Sequence, residues 1–247
     1  GLLEKDIAIS NALIDMYAKL GLVGKALEVL KKLPAQNVIA WNSVIAGYVE
    51  QGQCQDAFKC FEWMKNEDLY PNAVTFICIL KACGSIGNIN KGKQIHDEIL
   101  SRCSLSKDIV LANVLIDMYA TCGYFREAHD VLNKLSIQNV ISWNTIILGC
   151  IDHSFCEQAV NYFERMQESG ISPNVVTFML ILKACSSLKD LDKGQVIHVD
   201  MAKKGLLETD SRIGSTLINM YLKCGSLARA QEVFGTLQTL NRNVFSW

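Results

Sequence analysis

Proline is nearly missing from this sequence, at three in 247 residues, while hydrophobic residues make up 50%. That balance excludes disordered and collagen-like structure and leaves a folded chain able to bury a large core. No run approaches the roughly 18 uninterrupted apolar residues of a membrane span, and the first residues carry no charged-then-apolar signal pattern. Cys-x-x-Cys pairs are absent, and the ten cysteines are spread along the chain without compact spacing. They read as buried thiols of a reducing compartment rather than as a disulfide framework or a zinc site. Charge of one sign is lacking too: 24 Lys and Arg against 25 Asp and Glu give a net charge of −1. This argues against a nucleic-acid binder that works by bulk basic charge, although a stacked array can place its lysines on one face and its acids on the other.

What is present is repetition. At an offset of 102 residues, NALIDMYAKLG (11–21) aligns with NVLIDMYATCG (113–123) and again with STLINMYLKCG (215–225). The same offset pairs VIAWNSVIAGY with VISWNTIILGC, VTFICILKAC with VTFMLILKAC, and NKGKQIH with DKGQVIH. Each period holds three related motifs of 31, 35 and 36 residues: 7–37, 38–72 and 73–108, then 109–139, 140–174 and 175–210, with a seventh at 211–243. One array over 1–247 is expected, cut at both ends from a longer one, since GLLEKD resembles the tail of a long motif and NVFSW the opening of another.

Each motif reads as two helices. Leu13 and Tyr17, then Ala26, Leu30 and Leu33, recur at three- and four-residue spacings that lay an apolar stripe along each helix. Gly21, Gly52, Gly123 and Gly225 share one register, where a residue tolerant of positive φ ends the first helix. Pro71 and Pro173 close the 35-residue motifs, and Asp6, Asp108 and Asp210 precede helices as N-caps do. A single hairpin cannot bury its stripe on both sides, so stacking is compulsory and an all-α superhelix, curving right or left, with a concave face follows.

These features together (short, standard and long motifs carrying LIDMYAKLG, VIAWNSVI, VTFICILKAC and KGKQIH) resemble the P-L-S class of pentatricopeptide repeat proteins of plant organelles. Tetratricopeptide arrays use a similar hairpin but a strict 34-residue period and a signature that this chain lacks. The resemblance implies a right-handed α-solenoid of about seven repeats and about fourteen helices. It further implies single-stranded RNA binding at one base per motif, and a mitochondrial or chloroplast location with the transit peptide outside this segment.

The polar residue that stands out is the asparagine at the fifth position of four motifs: Asn11, Asn42, Asn113 and Asn144. Asparagine is a mediocre helix former, so something other than propensity placed it there. A local hydrogen bond to the preceding turn is the plain explanation. A base-reading amide is the other, since it offers a donor and acceptors to the Watson–Crick edge of an unstacked base. In the family, the fifth and last residues of a motif select the base, and the second residues of adjacent motifs sandwich it. Carried over, Asn11 with Asn37, Asn42 with Asn72, Asn113 with Asn139 and Asn144 with Asn174 resemble pyrimidine readers, cytosine somewhat over uracil, and Ser215 with Asn243 an adenine reader. Ile77 and Met179, beside Asp108 and Asp210, depart from the code and make the long motifs weak readers or spacers. The implied track is 5′-YYNYYNA-3′.

Ala8, Ile39, Val74, Val110, Ile141 and Val176 hold the second positions, as base-pressing groups or as core; Arg212 breaks the series and offers a guanidinium plane. Lys19 and Lys223 resemble family phosphate contacts, with a solvated face as the other reading. Trp41, Trp143 and Trp247 share the fourth position, which faces away from the fifth on a helix and reads as core more than as a stacking platform. His96 and His198 recur at 102 residues and are assigned to inter-helix packing. No cofactor, metal or catalytic group is expected. The segment has no His-x-Glu with Cys-x-x-Cys deaminase pattern, so C-to-U editing, the activity the family directs, would reside in other domains or partners. Editing helper proteins through the long motifs are a further implied partner. The reading from a different class is a protein-interaction scaffold.

Overall fold

The computed structural model describes residues 7–33, 35–102, 108–208 and 211–244, side chains at 208, 211 and 237–244 excepted. Among these residues every regular element is helical. Two compact units divide at residues 136 and 137. The first holds α1 (Ile7–Lys19), α2 (Val23–Lys31), α3 (Val38–Glu50), α4 (Cys54–Asn66), α5 (Ala73–Ser85), α6 (Ile89–Arg102), α7 (Ile109–Thr121) and α8 (Phe125–Asn133). The second holds α9 (Val140–Asp152), α10 (Cys156–Glu168), α11 (Val175–Leu188), α12 (Leu191–Lys203), a 3₁₀ turn at Leu206–Glu208, α13 (Ser211–Lys223) and α14 (Leu227–Val244).

Within each unit, consecutive helices form hairpins and the odd-numbered helices lie side by side: α1 on α3, α3 on α5 and α5 on α7 in the first unit, α9 on α11 and α11 on α13 in the second. An odd helix therefore meets neighbours on several sides, which is why its sequence is apolar almost all round. The fourth residue of each motif points into this layer: Trp41 is 2% exposed, Trp143 1%, and Phe76 and Phe178 are fully buried. Burial of each such ring contributes about 2 to 3 kcal/mol. Gly92 on α6 and Gly194 on α12 let the neighbouring odd helix close in, since a Cβ at either would lie 2.5 Å from the sulfur of Met118 or Met220. All nine cysteines among the described residues are free thiols, and burial pushes Cys60, Cys83, Cys150 and Cys185 up to about 12.

Every hairpin turns by the same device. The amide just after the turn's left-handed residue donates back over five residues, from Leu22 to Tyr17 at 2.8 Å and from Tyr124 to Tyr119 at 2.8 Å. Glycine fills that place at Gly21 (φ 77°), Gly52 (71°), Gly87 (66°), Gly123 (81°) and Gly225 (78°). In the second unit Ser154 (φ 65°) and Lys189 (φ 56°) hold the same conformation with a Cβ. Relief of that strain exceeds the extra chain entropy of glycine, so Ser154→Gly and Lys189→Gly are each expected to raise the unfolding free energy by about 0.5 to 1 kcal/mol in urea titrations.

His96 on α6 and His198 on α12 tie the long motif to the next: Nδ1 lies 2.8 Å from the hydroxyl of Tyr119 or Tyr221. Burial holds both imidazoles below their ordinary 6.5. The unfolded chain thus takes up its proton first as pH falls through about 6.5, and stability that is full above that pH is lost below it. Thermal melts from pH 7.5 to 5.0 are expected to show a smaller decline for His96→Gln than for the parent.

Candidate functional site

The last residue of a motif ends the approach to the next first helix in extended backbone, with φ −138° at Asn37, −109° at Asn72, −131° at Asn139 and −104° at Asn174. There it is the N-cap. Its Oδ1 accepts from the backbone N–H three residues on, at Ala40 (3.0 Å), Thr75 (3.1 Å), Ser142 (2.9 Å) and Thr177 (3.0 Å). Capping therefore fixes the amide: the oxygen faces the helix start and the nitrogen faces away.

The fifth residue of the preceding helix meets this cap. Asn37 Nδ2 donates to Asn11 Oδ1 at 3.1 Å. In the standard motifs the bond runs the other way, from Asn42 Nδ2 to Asn72 Oδ1 at 3.1 Å and from Asn144 Nδ2 to Asn174 Oδ1 at 3.2 Å. Residues 26 to 30 apart in sequence thus form direct amide pairs, two in the first unit and one in the second. Asn113 is half-buried on α7, and Asn139 accepts from Ser142 Oγ at 3.2 Å besides the backbone bond.

Beside the pairs, the second positions are open. Ile39 is 65% exposed, Val74 52% and Val110 59% in the first unit, and Ile141 is 61% and Val176 49% in the second. Ala8 and Arg212 are exposed as well. A β-branched apolar side chain left in water at one register, motif after motif, is surface and not core.

The last short motif differs. Ser215 Oγ donates to the Arg212 carbonyl at 2.9 Å, so the hydroxyl turns back on its own helix. Asn243 lies within α14, which runs to Val244, and not at a cap like Asn37; its side chain is outside the described residues. In the long motifs Ile77 and Met179 are half-buried, and Asp108 caps α7 through Leu111 N at 3.0 Å. Asp6, Asp210 and Trp247 lie outside the described residues.

A groove of about 570 Å³ in the second unit gathers Val176, Met179, Arg212, Ser215 and Lys223 with Lys183 and Asn219. Lys183 pairs loosely with Asp152, at 3.6 Å. Lys19, by contrast, is held by Asp15 at 2.7 Å, and this hydrogen bond raises its pKa. A phosphate there would have to compete with that carboxylate. Two further residues escaped the sequence reading although their signal was in the repeat. Lys183 recurs as Lys81 within LKAC, and Thr75 recurs as Thr177 within VTF, each at the 102-residue offset.

Residues 36–85 and 138–187 match the model of a PPR repeat family, and residues 9–38, 110–139 and 215–241 match that of the PPR repeat. A pentatricopeptide repeat-containing protein of Arabidopsis thaliana named as chloroplastic is 33% identical over 246 residues, all of this chain and 39% of that protein. Another from the same plant, named as mitochondrial, is 32% identical over 246 residues, 99% of this chain and 35% of its own length. The chain thus spans about a third of the length of these relatives. The crystal structure of the pentatricopeptide repeat protein PPR10 from maize shares the fold with a TM-score of 0.74 at 22% identity, over 95% of this chain and 34% of that one. PPR10 in complex with an 18-nt psaJ RNA element matches at a TM-score of 0.73 and 17% identity, over 93% and 34% of the respective chains.

Because Asn72 caps α5 and also accepts from Asn42, Asn72→Ala is expected to cost about 1 kcal/mol of stability by urea denaturation, whereas Asn72→Asp, which keeps the capping oxygen, should stay within a few tenths.

Proposed function

This chain belongs to the pentatricopeptide repeat family, and from that premise we propose that it is a sequence-reading module for single-stranded RNA, one base per motif. The observation that carries the reading is the direct amide pair between fifth and last residues, formed at Asn11 with Asn37, Asn42 with Asn72 and Asn144 with Asn174. Each pair leaves amide hydrogens and lone pairs directed away from its own bond, next to exposed second-position side chains such as Ile39, Val74, Ile141 and Val176. Hydrogen-bonding groups at an edge and apolar groups at a face are what an unstacked base requires. A helix-local bond back to the preceding turn would not place the amide of α1 or α3 on a residue 26 or 30 further along.

The track reads 5′-YYNYYNA-3′ from the N-terminal motif onward. By the family's code, Asn113 with Asn139 is assigned the pyrimidine at the fourth base and Ser215 with Asn243 the adenine. The motifs with Ile77 and Met179 act as spacers, since neither side chain can answer a Watson–Crick edge. Val176 and Arg212 line one groove and hold a base between them, with Lys183 and Lys223 near its phosphate. The whole protein acts in a chloroplast or mitochondrion, in keeping with the names of its relatives. Within it this segment locates a site, with C-to-U editing supplied by other domains or helper proteins docked on the long motifs.

Fluorescence-anisotropy titration of 5′-CCACCAA-3′, against the same RNA with purines at the four pyrimidine positions, tests the reading at two salt concentrations. The matched RNA is expected to bind more tightly by roughly 1 kcal/mol per substituted base, with both affinities falling as salt rises. Equal binding of the two RNAs would overturn it.

A further inference from the structure

The Asn–Asn pairs are identical in sequence and opposite in hydrogen-bond direction. Beside the pair in the first motif, the third residue of the next helix is Ala40; beside the pairs in the standard motifs it is Thr75 or Thr177. Both threonines are fully buried, so their hydroxyls need partners inside the protein. Thr75 Oγ1 accepts from Asn72 N at 3.1 Å and gives its one hydrogen to the nearer of two acceptors, Asn42 Oδ1 at 2.6 Å and not Asn72 Oδ1 at 3.1 Å. Thr177 repeats the arrangement, accepting from Asn174 N at 3.2 Å and donating to Asn144 Oδ1 at 2.7 Å.

With the hydroxyl on its oxygen, Asn42 must turn its nitrogen to the cap. The cap oxygen of Asn72 then receives both Thr75 N and Asn42 Nδ2, which uses its two lone pairs. Turning the Asn42 amide over would set its oxygen against the oxygen of Asn72. One arrangement survives. It leaves three N–H hydrogens for a ligand, two on Asn72 and one on Asn42, against a single lone pair on the nearly buried Asn42 oxygen. Beside Ala40 no hydroxyl intervenes. Asn11 accepts from Asn37 and has no threonine hydroxyl on its oxygen, so its side chain can instead swing to donate to the second lone pair of the Asn37 oxygen, as Asn42 does on Asn72, and that pair can present itself in either sense.

We propose that Thr75 and Thr177 are positioning residues that set the hydrogen-bond polarity of the reading pair in the motif before them, making the second and fifth bases cytosine-selective while the first accepts either pyrimidine. Cytosine places two adjacent acceptors, N3 and O2, on its Watson–Crick edge, which suits a donor-rich pair. Uracil places an N–H where that pair has no open acceptor. The proposal rests on the RNA-reading role above and deepens it.

The test compares cytosine with uracil at the second base of 5′-CCACCAA-3′. The parent chain should prefer cytosine there. Thr75→Val, which keeps the shape and removes the hydroxyl, should shrink that preference by about two- to tenfold, the span of one neutral hydrogen bond, and Thr75→Ser should retain it. Ala40→Thr should create the preference at the first base. A folded Thr75→Val with an unchanged ratio would overturn the proposal; if that variant does not fold, Ala40→Thr decides, and no new preference at the first base overturns it equally. Should the parent bind no RNA selectively, the RNA-reading role falls, and NMR on the free chain still judges the polarity. Side-chain amide hydrogens of Asn42 should exchange severalfold faster in Thr75→Val, and an unchanged rate counts against the threonine.

Discussion

One hydrogen bond ties the end of a motif to the helix that follows it: the N-cap from the last side chain of a motif to the start of the next first helix. It satisfies a helix N–H that would otherwise lack a partner, at Ala40, Thr75, Leu111, Ser142 and Thr177. By taking the oxygen of an amide, it also leaves the nitrogen facing outward. An asparagine in this place caps a helix with one end of its amide and leaves the other end for a partner. Aspartate at position 108 caps in the same register but carries no outward donor.

Stacking supplies the rest of the energy. An odd helix flanked by its own partner and by the odd helices on either side buries the fourth-position rings and the third-position residues, among them Thr75, Ser142 and Thr177 at 0% exposure. The fifth residue sits at the edge of that buried layer. Asn42 is 7% exposed and Asn72 is open, so the pair joins an ordered interior to a wet surface. Order of this kind suits recognition, because amides locked before a base arrives lose little entropy on binding.

Charge plays a local part. Ion pairs such as Lys91 with Glu62 at 2.8 Å and Lys93 with Glu127 at 3.2 Å join even helices of successive hairpins and contribute modestly, being solvent-exposed. Near the amide pairs, Lys19 is occupied by Asp15 and Lys183 sits more loosely by Asp152. Balanced net charge thus conceals lysines that differ in how readily they can leave their partners.

The sequence by itself determined the helical hairpins, the left-handed glycine at four of the turns and the identity of the amides at fifth and last positions. Caps, turns and apolar stripes are local, and the 102-residue offset displayed them three times over. The grip of Asp15 on Lys19 was equally local, four residues apart, and legible in LIDMYAK. Only tertiary structure decided which atom of each asparagine faces its partner, that Thr75 and Thr177 choose that direction, that Ser215 turns to its own helix, and that the second positions are surface and not core. Those outcomes depend on distances between groups about thirty residues apart on successive hairpins, and residue identity alone does not order a donor and an acceptor on the same amide. That order comes from a buried hydroxyl holding the oxygen of one amide and a helix N–H holding the oxygen of the other.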